Sequence, residues 1–154
     1  MPSNRLTLQP LLRAEITLAP AQELGAAPLG RRRIIPITGG RFRGERLSGR
    51  VLAGGADWQI VRGDGVSQLE ARYTLETDDG ALVYVHNVGL RHGSPEVLAK
   101  LAAGEPVDAA LYYMRTTPSF ETGAAKYLWL NRLVCVATGA RSKDAVELDI
   151  YEVK

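Results

Sequence analysis

Residues 66–88 read VSQLEARYTLETDDGALVYVHNV, two runs of alternating character on either side of Asp78-Asp79-Gly80. Alternation over this length marks half-buried strands, and an Asp-Gly pair between two such runs marks a tight hairpin. In the first run Arg72, Thr74 and Glu76 share a face; in the second Leu82, Tyr84, His86 and Val88 do. Spacing alone leaves open which of these faces points inward.

Similar runs extend in both directions. Leu12, Ala14, Ile16 and Leu18 alternate with Arg13, Glu15 and Thr17, and further strands are predicted over 31–38, 45–52 and 58–62. Beyond the hairpin, Ser94 as N-cap, Pro95 at the first helical position, the apolar Val97, Leu98 and Leu101, and Gly104 as terminator predict one short α-helix near 94–103. Strands are then predicted over 107–116, 126–137 and 145–153, with loops over 117–123 and 138–144. Eight or nine strands in sequential hairpins leave a sandwich or an up-and-down barrel. Residues 127–136 favour the barrel: Tyr127, Trp129, Asn131, Leu133 and Cys135 lie on one parity and Leu128, Leu130, Arg132, Val134 and Val136 on the other, so both faces want cover. The predicted fold is therefore all-β, a closed antiparallel up-and-down barrel of about eight strands and lipocalin-like size. Its outer wall would pack on the helix or on a second copy as a homodimer.

The 154 residues suit a single domain spanning 1–154, with residues 1–9 expected to be loosely ordered. Nineteen basic against seventeen acidic residues provide no large field for nucleic acid or an anionic membrane, so neither is an expected partner. Cys135 is the only cysteine, and no basic-then-apolar leader opens the chain, which together predict a soluble cytoplasmic protein. Arg31-Arg32-Arg33 lacks interleaved aromatics and reads as a solvated strand edge. The glycines at 39, 40, 44, 54 and 55 open no helix, match no phosphate loop, and read as turns and bulges. His86 and His92 have no third ligand at useful spacing, so no metal and no other cofactor is predicted.

Several segments together resemble one family: Ala56-Asp57-Trp58, Arg62-Gly63-Asp64-Gly65, Ala71-Arg72-Tyr73, Thr77-Asp78-Asp79-Gly80, the stretch from Tyr113 to Gly123, and Tyr127-Leu128-Trp129-Leu130-Asn131. Their order is similar to that of the uncharacterised bacterial and fungal family called domain of unknown function 3237, also named uncharacterised protein family 0311. The resemblance implies a soluble β-barrel with a central cavity. It implies no established activity and assigns no catalytic roles.

Inward side chains of such a barrel are what could bind or react, since the ladder consumes the backbone groups. Arg115 is a candidate anchor for a carboxylate or other oxyanion, against an outer-wall or ion-paired arginine. Glu121, beside Phe120 in a Pro/Gly-bounded loop, and Asp57, beside Trp58, are candidate acid/base groups if burial raises their pKa, and exposed carboxylates otherwise. Arg72 could hold an oxyanion as Arg115 could. Tyr113, Tyr127, Trp129 and Asn131, with Trp58 and Tyr84, could cradle a flat ligand, or simply pack.

The sequence thus predicts a cofactor-independent acid/base enzyme of isomerase, lyase, hydratase or cyclase type. It would act on a small oxyanion-bearing or aromatic metabolite in the cavity. A non-catalytic carrier or sensor uses the same features, and an assembly module with a filled lumen is the third reading.

Overall fold

Gly80 turns the chain at φ +87°, donating its N–H to the carbonyl of Thr77 while the N–H of Thr77 donates to Ala81. This closes the predicted hairpin between the strands Ser67–Thr77 and Leu82–Gly93, which stay in register from Glu76 opposite Leu82 to Ser67 opposite Arg91. The structure, a computed structural model, describes residues 4–154. In chain order the strands are β1 (Leu8–Leu18), β2 (Gln22–Ala27), β3 (Gly30–Arg43), β4 (Ser48–Val51), β5 (Ala56–Val61), β6 (Ser67–Thr77), β7 (Leu82–Gly93), β8 (Tyr112–Glu121), β9 (Cys135–Arg141) and β10 (Ala145–Val153). The helix α1 (Pro95–Ala102) lies between β7 and β8, capped by Ser94 as predicted.

Every ladder is antiparallel, and the sheet closes because β10 pairs with β1 and β1 with β3. β1 and β2 follow one another along β3, and β4 and β5 share the gap between β3 and β6. Ten strands therefore fill eight positions of an up-and-down barrel. The expectation of a loose segment over 1–9 is corrected in part. Thr7 exchanges backbone hydrogen bonds with Lys154, and Leu8 and Gln9 belong to β1, while residues 1–3 lie outside the described residues.

The alternation now has a direction. Ser67, Leu69, Tyr73, Leu75 and Thr77 of β6 and Val83, Val85 and Asn87 of β7 are buried, so Arg72, Tyr84 and His86 stand on the outer wall. On β3 a bulge leaves Thr38 without a partner in β1, which shifts the buried parity from Ile35 and Ile37 to Phe42. Gly39 and Gly40 lie within this strand rather than in a turn.

Several segments differ from prediction: β2 was not expected, the strand expected over 107–116 begins at Tyr112, the loop expected over 138–144 is strand as far as Arg141, and two further differences bear on the site. The strand expected over 126–137 begins only at Cys135, and Ala125–Arg132 is 3-10 helical. Its two-sided apolar pattern comes from three-residue spacing, since residues three apart eclipse in a 3-10 turn: Tyr127 and Leu130 are buried on the core while Leu128 and Asn131 are exposed. Tyr127 and Lys126 both bond Asp79, so this segment plugs the end of the barrel that carries the 78–80 turn. The loop expected over 117–123 is largely strand, because β8 runs to Glu121 with Pro118 facing Asn87.

Candidate functional site

Between the plug and the other end the lumen changes character. Beside the plug it is filled by Phe42, Leu75, Val83, Phe120 and Leu130. Towards the α1 end, polar side chains replace this packing: Asp57 and Gln59 from β5, Asn87 and Arg91 from β7, Thr116 from β8 and Arg141 from β9. They border a void of about 60 Å³ whose remaining wall is apolar, including Ile35, Leu69 and Tyr73.

Alternation along β5 turns Asp57 and Gln59 inward and leaves Trp58 outside. Oδ1 of Asp57 accepts the backbone N–H of Glu70 at 2.9 Å, and Oδ2 accepts Nε2 of Gln59 at 3.2 Å. Desolvation pushes the pKa of this carboxyl up, against the lowering effect of those two hydrogen bonds and of Arg91 and Arg33. The amide of Gln59 is fixed in turn by Nη1 of Arg33, which donates to Oε1 at 2.8 Å, while Nε of Arg33 pairs with Glu23 at 2.8 Å.

Asn87, Arg91 and Thr116 are all buried, and Asn87 Oδ1, Arg91 Nε and Thr116 Oγ1 have no hydrogen-bond partner among the described residues. Buried polar atoms ordinarily find partners, so three unsatisfied ones on residues that border one void mark a place built to meet something else. Burial pushes the Arg91 guanidinium down to about 10, with the repulsion of Arg141 and Arg33 adding to it. Arg91 and Arg141 also border a second space of about 370 Å³ under α1, which opens the lumen towards that end.

Of the residues singled out from sequence, Asp57 alone borders the polar void. Arg115, Tyr113 and Trp58 do come together, but on the outer wall, in an open groove of about 780 Å³. There Arg115 donates to the carbonyl of Met114 at 2.9 Å and lies 5.4 Å from the Tyr113 ring. Arg72 donates to the Tyr84 hydroxyl at 2.7 Å and to Glu70 at 3.1 Å, also outside. Glu121 is exposed at the end of β8 opposite Tyr84, so the partial burial expected of it is missing. The expected cradle is likewise divided. Tyr127 gives its hydroxyl to Asp79, and Trp129 is covered by the Arg46 guanidinium at 3.5 Å. Asn131 is an exposed clamp that accepts the Thr122 N–H and donates to the Thr122 carbonyl, both at 2.8 Å. The reason is common to all: strand parity turns Arg72, Tyr84, Tyr113, Arg115 and Glu121 outward, and the 3-10 segment is a plug rather than a lumen strand.

Gln59, Asn87, Arg91, Thr116 and Arg141 were not anticipated. The signal for one of them was present in the hairpin: once Val83 and Val85 mark the inward row of β7, Asn87 continues it, and Arg91 falls on the same row only because β7 runs past its predicted end. Among the described residues no three His, Cys, Asp or Glu side chains stand together as a metal site. No helix among them is long and apolar enough to cross a membrane.

A closed antiparallel barrel with one apolar, plugged end and one polar, open end defines a class of small cavity-bearing β-barrel proteins. Within that class, the chain belongs to the family described as proteins of unknown function DUF3237, whose model matches residues 6–153. A UPF0311 protein of Rhodopseudomonas palustris is 52% identical over 133 residues, covering 86% of this chain and 85% of its own. The crystal structure of a conserved protein of unknown function from that organism superposes with a TM-score of 0.93 at 44% identity, covering 99% of this chain and 100% of the other. A beta-barrel like protein of Acinetobacter baumannii gives a TM-score of 0.86 at 49% identity, covering 99% and 98%. More distantly, the chain is 26% identical over 148 residues to a hydroalkoxylation enzyme of Penicillium herquei, covering 96% of this chain and 83% of that one.

Proposed function

We propose that the lumen is the active site of an enzyme that transfers protons to and from a small molecule, with Asp57 as the group that gives and takes the proton. The observation that carries this reading is Asp57 itself. Among the described residues it is the one carboxylate bordering the void, and desolvation raises its pKa towards the range where a carboxyl serves as acid and base at working pH. Its two hydrogen bonds fix its orientation and leave each oxygen a further lone pair to use.

Addition of O–H across a carbon–carbon double bond fits one such group. The carboxyl delivers its proton to an alkene carbon, the substrate oxygen bonds to the neighbouring carbon, and the oxygen's proton returns to the carboxylate. Atoms and charge balance with no redox partner. The distant fungal relative named for hydroalkoxylation supports this class, and isomerisation, elimination or cyclisation by proton transfer would make the same demands on Asp57. A void of about 60 Å³ admits only the reacting end of a substrate, so its body would lie in the larger space under α1.

The reading is tested by incubating the protein with 2-allylphenol and 2-prenylphenol in D₂O and following cyclisation and deuterium at carbon by mass spectrometry. Turnover should fall at least about a hundredfold in Asp57→Asn and stay within about twofold of wild type in Glu121→Gln. Cyclisation that survives Asp57→Asn, or tight binding of these phenols without turnover, would overturn it, the latter in favour of a carrier.

A further inference from the structure

We propose that the space under α1 is an anion-selecting vestibule and that the molecule handled in the lumen carries a carboxylate, received by Arg91. The inference rests on the reading of the lumen as a site for a small molecule and adds the charge of that molecule.

Counter-charges around this space are unevenly distributed. Arg33 is neutralised by Glu23 at 2.8 Å. Arg141 spends Nη1 on backbone carbonyls, that of Ala145 at 3.1 Å among them. Arg91 has neither. It is 9% exposed, makes no ion pair within 4.0 Å among the described residues, and leaves Nε unsatisfied. A buried charge without a partner is costly and persists where something else supplies the partner.

The surroundings say what that partner is. Arg31, Arg33, Arg91, Arg141 and Lys143 border the vestibule against one carboxylate, Asp144. A low-dielectric concavity lined by one sign of charge concentrates the opposite ion. Leu98 and Leu101 of α1 and Val61 are among the apolar residues of the wall, which suits an apolar body behind the anion. Because Arg91 and Arg141 border both spaces, a carboxylate held between them would direct one end of its molecule at Asp57. A guanidinium fork matches a carboxylate in shape as well as charge. Asn87 and Thr116, each carrying a buried oxygen without a partner, border the same void.

Benzoate is the probe, with benzamide as its uncharged counterpart, read by titrating the Arg91 Nε–Hε resonance in ¹⁵N-arginine-labelled protein. Benzoate should shift that resonance and bind at least about tenfold more tightly than benzamide, with affinity falling as salt rises. Arg91→Met should lose about tenfold or more in benzoate affinity, and Arg91→Lys should fall between, keeping the charge without the fork. Arg91→Met removes an unpaired buried charge, so its melting temperature should equal or exceed wild type, which keeps the variant interpretable. Equal binding of benzamide, no Arg91 shift at about 50 mM benzoate, undiminished affinity in Arg91→Met, or a response to inorganic phosphate alone would each overturn the proposal. Asp57→Asn should still bind benzoate. Failure of the phenol assay with benzoate binding intact would therefore remove the proposed chemistry and leave the anion site standing.

Discussion

Gln59 donates through Nε2 to Oδ2 of Asp57 at 3.2 Å while its own carbonyl accepts Nη1 of Arg33 at 2.8 Å, so the candidate proton-transfer group is held from the mouth of the barrel by a buried amide. Gln59 is 1% exposed, and its two ends cannot be exchanged without opposing donor to donor. Gln59→Met keeps the volume and removes both bonds. The carboxylate loses one of the contacts that lower its pKa, so the midpoint of Asp57 should rise by about one pH unit, seen in the ¹³Cγ shift and in the alkaline limb of the rate profile, where the proton-donating form is lost. Stability should drop by about 1–3 kcal/mol, since Arg33 is left with an unsatisfied donor. An unmoved midpoint would mean that Gln59 fills space rather than positioning Asp57.

The raised pKa of Asp57 also fixes how stability varies with pH. The charged groups facing it are Arg33 from β3, Arg91 from β7 and Arg141 from β9, with the Tyr73 hydroxyl from β6, yet desolvation dominates and the native state binds the proton more tightly than the unfolded chain. Stability from this group is therefore fully present below the ordinary value of 3.8 and is lost as pH climbs through the native value. Asp57→Asn has no such loss. Its new amide meets Gln59 with a donor, a penalty independent of pH, so the decisive quantity is the slope. In urea melts from pH 3 to pH 8, the variant should gain on wild type as pH rises. A difference constant across that range would contradict the raised pKa.

How much of this was legible depended on the kind of pattern involved. The antiparallel strands followed from Asp78-Asp79-Gly80 and the alternating runs, because period two and turn chemistry are local, whereas closure was argued from residues 127–136, most of which form the 3-10 plug rather than a barrel strand. The site was legible only at Asp57. Which parity faces inward is set by the closed sheet, and Thr38 shows why sequence cannot supply it: one extra residue reverses the buried face within β3. Arg91 lay beyond the predicted end of its strand at Val88, and it resembles any surface arginine until the fold buries it. Trp129 and Asn131 were misplaced for a different reason. Their apolar neighbourhood fits a two-sided strand and a 3-10 plug equally well until Tyr127 is seen to reach Asp79 across the barrel end.

That reach is itself testable. The hydroxyls of Thr77 and Tyr127 and the ammonium of Lys126 all donate to Asp79, holding its pKa down at about 2. A depressed carboxylate contributes stability above its ordinary value of 3.8, and that contribution is lost as pH falls through the native value near 2. Asp79→Asn should therefore melt below wild type at neutral pH and converge with it near pH 2. Tyr127→Phe should lower the melting temperature less and release the plug, read as faster amide exchange over 125–132. If that exchange is unchanged, the core contacts of Leu130 hold the plug without the hydroxyl.

Gly40 provides the sharpest test of barrel closure. The β1–β3 ladder that seals the sheet brings Glu15 so near that a Cβ on Gly40 would lie 2.1 Å from the Glu15 carbonyl oxygen, at a backbone φ of +137°. The obstacle is backbone in a paired strand, so no side-chain rotation relieves it. Gly54 separates this clash from the conformational cost, since its φ of +110° is also unfavourable for a side chain but nothing lies within 4 Å of its Cβ. Gly54→Ala should cost about 1–2 kcal/mol, from the strained backbone alone. Gly40→Ala should cost at least about 3 kcal/mol in urea unfolding, because β1 must separate from β3 to admit the methyl group. Equal losses at the two positions would show that the β1–β3 seam is loose enough to yield, and that the barrel is closed more weakly there than its ladder indicates.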